Sequence, residues 1–199
     1  MMLMEQTEIS GDALPVDAFK AHLRLGRGFA EDAVQDVILA GFLRAALAAI
    51  EARTAKILLA RSFQLTLSAW HDATAQPFPV APVTAVTEVS LVDRDGDELS
   101  VDPALYRLEP DTQRPRLLPV ASLLPVIPRA GSVRISFDAG MGGDFDALPA
   151  DLRQAVMLLA AHYYEYRDET ALGAGCMPFG VTSLIARYRT VRLLGGGAA

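Results

Sequence analysis

The 199-residue chain has a single cysteine, Cys176, so no disulfide can close within it and a reducing compartment is expected. Met1 to Ser10 has neither a basic stretch nor an apolar stretch, so it does not read as a secretory signal. The longest uncharged run, Thr170 to Ala186, is broken by Gly173, Gly175, Pro178 and Gly180. It falls short of the ~20 apolar residues that a membrane span needs, so no membrane segment is expected. Acidic residues are also missing from the end of the chain. After Glu169 there is no Asp or Glu, while Arg187, Arg189 and Arg192 remain, which leaves the preceding body with 15 basic against 24 acidic residues. An acidic body argues against a DNA-wrapping surface, which needs a dense Lys/Arg stripe. A basic, partly apolar end suits docking onto an acidic protein, and equally suits cationic decoration near a helix C-terminus.

Signatures of chemistry are scarce too. No nucleophile elbow, P-loop or dinucleotide fingerprint is present, and Gly173-x-Gly175 follows no strand. Asp93-x-Asp95-Gly96-Asp97 has its glycine fourth, where a calcium loop needs it sixth, and reads as a hairpin turn. His162 and Glu165 have the i, i+3 spacing of a ligand pair, but no second pair accompanies them. Cys176 reads as a small apolar filler. Glu165, Asp168 and Glu169 beside Arg167 read as a solvated helix end. No catalytic, metal or cofactor residue is assigned, no cofactor is expected, and the chain is read as not an enzyme.

What the sequence does contain is apolar pattern. The apolar fraction is 51% and mean hydropathy is +0.25, slightly high for a soluble monomer. Either apolar surface is buried between subunits or the composition is simply rich in Ala and Leu. A short helix is expected over 15–25, with Val16, Phe19 and Leu23 on one face, and a long Ala-rich helix over 30–53. In the latter, Glu31 and Asp32 sit in the first turn, and apolar residues recur at Ala33/Val34, Val37/Ile38, Phe42, Ala45/Ala46 and Ala49/Ile50. The period then changes to two. Phe63, Leu65 and Leu67 alternate with polar residues, as do Val133, Ile135 and Phe137, and shorter strands are expected at Val83 to Val92, Leu99 to Val101, Leu105 to Leu108 and Arg116 to Leu118. Pro77, Pro79 and Pro82 mark an extended loop. Pro149 opens a helix over 149–167, with Leu152, Ala155/Val156, Leu159 and Tyr163/Tyr166 inward and Tyr164 outward. Val181, Leu184/Ile185 and Tyr188 mark a final short helix, and Gly195 to Ala199 a disordered end.

This order predicts an α+β fold. A helical bundle, in which the long second helix packs on the third, carries an inserted module of short antiparallel strands (62–138) and a C-terminal tail helix. The expected division is a flexible N-terminus (1–14), a main domain (15–168) and a linker with a docking tail (169–199).

One ordered set of segments resembles a known family. It comprises Val16-x-x-Phe19-Lys20-x-His22-Leu23, the long helix ending Ala49-Ile50-Glu51-x-x-Thr54, Phe63-x-Leu65-x-Leu67, Pro79-x-x-Pro82-Val83, and Tyr106-x-Leu108. It continues with Pro115-Arg116-Leu117, Val133-x-Ile135-x-Phe137-x-Ala139-Gly140, Leu148-Pro149-x-Asp151-Leu152 and Tyr163-Tyr164-Glu165-x-Arg167. Over about residues 14 to 168 the chain is similar to the head–tail connector (adaptor) proteins of tailed phages and gene transfer agents. The resemblance implies a virion component made in the bacterial cytoplasm and placed at the neck of a particle. It also implies a self-assembled ring, commonly of twelve copies, lying under the portal protein. Such a ring extends the channel through which DNA passes and presents a platform to the next neck, stopper or tail protein. The portal-docking segment would map to Pro178, Phe179, Leu184, Ile185, Arg187, Tyr188, Arg189 and Arg192. Two alternatives remain: a small enzyme with a site scattered over His162, Glu165 and Asp144, and a nucleic-acid-binding packaging subunit.

Overall fold

The computed structural model describes residues 1–25, 33–167 and 177–189. The elements in chain order are β1 (Met2–Glu5), α1 (Val16–His22), α2 (Ala33–Thr54), β2 (Arg61–Leu67), β3 (Gln76–Pro77), β4 (Val83–Val92) and β5 (Glu98–Ser100). They continue with β6 (Tyr106–Glu109), β7 (Arg116–Pro119), β8 (Ser132–Ala139), α3 (Ala150–Glu165) and α4 (Phe179–Ile185). The α+β class is as expected, and all strand pairs within the two sheets are antiparallel.

Five strands form one sheet in the order β1-β2-β8-β4-β5, and three form another in the order β3-β7-β6. Alternation in β2 and β8 turns Phe63, Leu65, Leu67, Val133, Ile135 and Phe137 into a shared core. There the Phe137 ring meets Phe63 at 5.7 Å and Phe78 at 4.8 Å between centroids. The Asp-Gly turn forms as expected. Gly96 takes φ +93, and Asp93 Oδ1 accepts from the Asp95 and Asp97 N–H groups at 2.8 and 2.9 Å. The Asp93 carboxylate therefore shapes the hairpin turn.

A second core lies among the helices. Leu39, Leu43, Ala46, Leu47 and Ile50 of α2 meet Leu152, Ala155, Val156, Leu159 and Ala160 of α3. At about 1.5–3 kcal/mol per large buried side chain, this seam is a main source of helical stability. The two cores touch along Ile57-Leu58-Leu59, where Ile57 belongs to the β core and its two neighbours to the helical one. Backbone bonds fasten the joint: Ile57 N–H donates to the Ala81 carbonyl, Ala60 N–H to Gly142, and Met141 N–H to Ile57. Gly140 is required here. Its φ is +149, and a Cβ would lie 2.4 Å from the Ala60 Cα.

Several expectations need correction. The N-terminus, expected to be flexible over 1–14, supplies an edge strand: β1 pairs with β2 from Met2↔Thr66 to Glu5↔Phe63. An edge strand needs only the free backbone groups of its neighbour, so no apolar alternation announces it. Pro77, read as loop, sits in β3, whose one strand neighbour among the described residues is β7 and which therefore tolerates a residue without an N–H. Tyr164, expected to face away, packs edge-on against Phe42 at 5.9 Å, whereas Tyr166, expected in the core, is exposed. Helix α3 ends at Glu165, so Tyr166 falls in the cap, off the helical stripe.

Candidate interaction surfaces

Helix α2 is apolar on two sides. Its core face is leucine-rich. The opposite side shows Val34 71%, Val37 73% and Ile38 51% exposed. Val34, Ile38, Gly41, Ala45, Ala48 and Ala52 recur at spacings of four, three, four, three and four, and all are exposed. That is the heptad spacing of a helix–helix seam. Its small residues would allow an approach at the short end of the usual 8–10 Å between axes. A Cβ on Gly41 would meet nothing within 4 Å in the isolated chain. The sequence reading placed Val34, Val37 and Ile38 in the same apolar series as Ala46 and Ile50, whereas the fold divides that series between two faces.

The proposed docking residues separate in the same way. Phe179 is 88% exposed, Arg189 is exposed, and Pro178 and Leu184 are half-buried. Ile185, with Val181, is wholly buried in the helical core, so it is not surface available to a partner. Arg187 and Tyr188 are tied down locally. Arg187 Nε lies 2.9 Å from Asp151 Oδ2, and Arg187 Nη2 donates to the Tyr188 hydroxyl at 2.6 Å. The Tyr188 hydroxyl in turn donates to Asp151 Oδ1 at 2.8 Å. Burial holds this hydroxyl above its ordinary pKa of 10.0, reinforced by Asp151 and opposed by Arg187. The described part of the segment expected to be a docking tail is thus clamped to the first turn of α3. Arg192 and Cys176 lie outside the described residues, as do Glu31, Asp32, Asp168 and Glu169.

The residues of the scattered-site alternative each have their own local role. Asp144 Oδ1 caps the Ala147 N–H at 2.9 Å, His162 lies against Tyr166 at 4.7 Å between rings, and Glu165 is exposed at the end of α3. Among the described residues, no three His, Cys, Asp or Glu side chains are placed to hold a metal ion, and no helix is long and apolar enough to cross a membrane.

Two features were missed in the sequence. One is the exposed apolar row Val120, Leu123 and Val126 on the β7–β8 connection, anchored where Trp70 Nε1 donates to the Pro125 carbonyl at 2.7 Å. The other is Lys56, 1% exposed at the joint between the cores. Its only signal is a lone cation in the run Ala55-Lys56-Ile57-Leu58-Leu59-Ala60.

Comparison with solved structures decides the kinship. The chain is similar to one in the neck of an empty gene transfer agent particle, computed with C6 symmetry, at 54% identity and TM-score 0.88, over 98% of this chain and 99% of that one. It is similar to a chain in the virion of a native gene transfer agent particle at 53% identity and TM-score 0.85, with the same coverage. A chain in the neck of the native particle, computed with C12 symmetry, is 51% identical, with TM-score 0.83 and again 98% and 99% covered. The chain belongs to the head–tail connector family. The likeness to these chains extends beyond residues 14–168, the span of the sequence resemblance, to nearly the whole chain. No protein-family model and no curated protein matches it.

Proposed function

We propose that this chain is the connector subunit at the neck of a gene transfer agent or closely related phage-like particle. The carrying observation is its likeness, over nearly its full length, to chains in gene transfer agent necks. In this reading twelve copies form a ring below the portal protein at one capsid vertex. The ring extends the DNA channel and offers a platform to the next neck or tail protein. The subunit acts by association, not by catalysis. The outward face of α2 is the surface for packing between copies, and Phe179 with Arg189 is the surface for the portal. The acidic balance of the body suits a channel wall, where like charge keeps passing DNA from adhering.

Gly41→Leu tests the packing surface. Replacing a helical glycine with leucine should stabilise the isolated chain by about 0.5–1 kcal/mol, because nothing in the fold opposes the new side chain. In a ring the same leucine would hold neighbouring helices apart. Particles made with the variant as their only copy should accumulate as DNA-filled heads without tails, counted by electron microscopy. Normal tailed particles from that strain, or from one lacking the chain altogether, would refute the proposal.

A further inference from the structure

We propose that the cavity at the joint between the two cores is a docking site for the chain's own C-terminal residues, with Val191, Leu193 and Leu194 laid across it as a strap. The contact lies within one chain and is independent of the place of that chain in a particle.

The cavity has a volume of about 580 Å³, within the range of pockets that hold a ligand. Its apolar lining includes Pro82, Met141, Ala147 and Pro149. Pro82, Met141 and Pro149 are half-buried and Ala147 is exposed, so this wall still has apolar surface to cover. Removing such surface from water favours any apolar occupant. Thr112 and Gln113 of the β6–β7 turn also line the cavity, as do Arg187 and Tyr188 after α4. It is therefore bounded by both halves of the fold.

The occupant follows from where the described chain ends. Tyr188 is a wall residue, fixed because its hydroxyl donates to Asp151 Oδ1 at 2.8 Å. Arg189, the last described residue, follows it with extended backbone, φ −67 and ψ 130. The next residues, Thr190-Val191-Arg192-Leu193-Leu194, thus start at the cavity wall. At about 3.3–3.6 Å per extended residue these five reach about 17 Å, more than the roughly 10 Å width of a sphere with the cavity's volume. Val191, Leu193 and Leu194 match the apolar lining, and Arg192 between them can lay down its stem and keep its charge in water. Gly195 to Gly197 have no side chain to bury and end the strap. A tether this short raises the effective concentration of these side chains at the cavity to roughly millimolar, so a separate partner would have to compete with them. The seated strap would brace the joint from outside: its anchor is held by α3, and the wall it covers includes the β6–β7 turn.

Thiol protection in the full chain tests this. Cys176→Ser removes the native thiol, and Ala147→Cys places a single new one on the cavity wall. Its alkylation by iodoacetamide is timed with the C-terminus intact and again with Leu193→Ser and Leu194→Ser. The intact chain should react roughly tenfold more slowly, the protection expected where burial of one large apolar side chain outlasts the cost of ordering the strap. That rate should be the same at every protein concentration. Ala48→Cys, on the exposed outer side of α2, is the control and should react equally in both backgrounds. Equal rates at Ala147→Cys with and without the leucines would overturn the site. Protection that grows with protein concentration would assign the cavity to a second copy, and would overturn the chain's own segment as occupant. A rate change shared by Ala48→Cys would mean a loosened fold in place of an uncovered cavity, and would overturn the strap.

Discussion

Truncating Ile185 should separate core from docking surface within the last described helix. Ile185 is fully buried, in the core shared with Leu152, Ala155 and Leu159. Ile185→Ala deletes three carbons, worth roughly 2.4 kcal/mol at about 0.8 kcal/mol per buried methylene. A residual void of about 50 Å³ would add roughly 1 kcal/mol. The expected loss is therefore about 3–4 kcal/mol, a large share of the 5–15 kcal/mol typical of a domain. For a chain of this length it corresponds to a fall in Tm of roughly 6–16 °C. Phe179, six residues earlier and 88% exposed, is the control: Phe179→Ala should stay within about 0.5 kcal/mol. Calorimetry and urea unfolding of both variants would measure the difference. In particles the order should reverse. Phe179→Ala should fold normally yet reduce the amount of this chain retained on portals. If Ile185→Ala melted within about 2 °C of wild type, α4 would not belong to the core and the reasoning would be refuted.

Three further outcomes follow from the joint between the cores. Glu51 accepts from Arg61 Nη1 and Nη2 at 3.1 and 2.7 Å and from the Leu58 N–H at 2.8 Å, while Glu5 of β1 lies 2.8 Å from Arg61 Nε. Glu51→Leu leaves the buried guanidinium half-compensated, and should cost about 3–5 kcal/mol in urea unfolding. Gly140→Ala forces a side chain onto the Ala60 backbone at positive φ. It should lower the urea midpoint by an amount equivalent to at least about 1–3 kcal/mol from conformation alone. Burial holds the Lys56 pKa in the folded chain below its ordinary 10.5, against the pull of Asp111, with Arg187 and Tyr188 also on the cavity wall. Between those two pKa values the folded state binds fewer protons than the unfolded state, so stability rises with pH across that window. The deficit of the wild-type chain relative to Lys56→Met should therefore shrink as pH approaches 10.5, in urea titrations at stepped pH.

The β module was largely legible because strand pattern and burial share a period of two. Phe63, Leu65, Leu67, Val133, Ile135 and Phe137 all point inward as their alternation predicts. The Asp93 to Asp97 turn was legible because its glycine has a conformational reason to be there. Elements that depend on a neighbour's backbone were not. Strands β1 and β3 are short edge pieces with no alternation of their own, and their pairing is set by the free edges of β2 and β7. The C-terminal segment misled for a different reason. Three arginines without a compensating acid suggested a docking tail outside the main domain, yet Val181 and Ile185 of its expected short helix, spaced i and i+4, lie in the helical core. The acid that compensates Arg187, Asp151, is 36 residues away in sequence and was invisible to local charge counting.

Helix α2 shows where local pattern stops being informative. A helix with one apolar face identifies its core side by periodicity. One with two apolar faces does not, because hydropathy records how apolar a side chain is and not what covers it. Size gives a better clue. Leu39, Leu43, Leu47 and Ile50 fill the interior, where a missing methylene leaves a void. Gly41, Ala45, Ala48 and Ala52 lie on the outside, where a helix from another subunit would need room for its backbone. The valines and isoleucine at the start of that outer face remain in water in the isolated chain, a standing cost that covering them would remove. The sequence therefore encodes two packing problems on one helix. The fold solves the leucine-rich one, and the small-residue one stays open in the isolated chain.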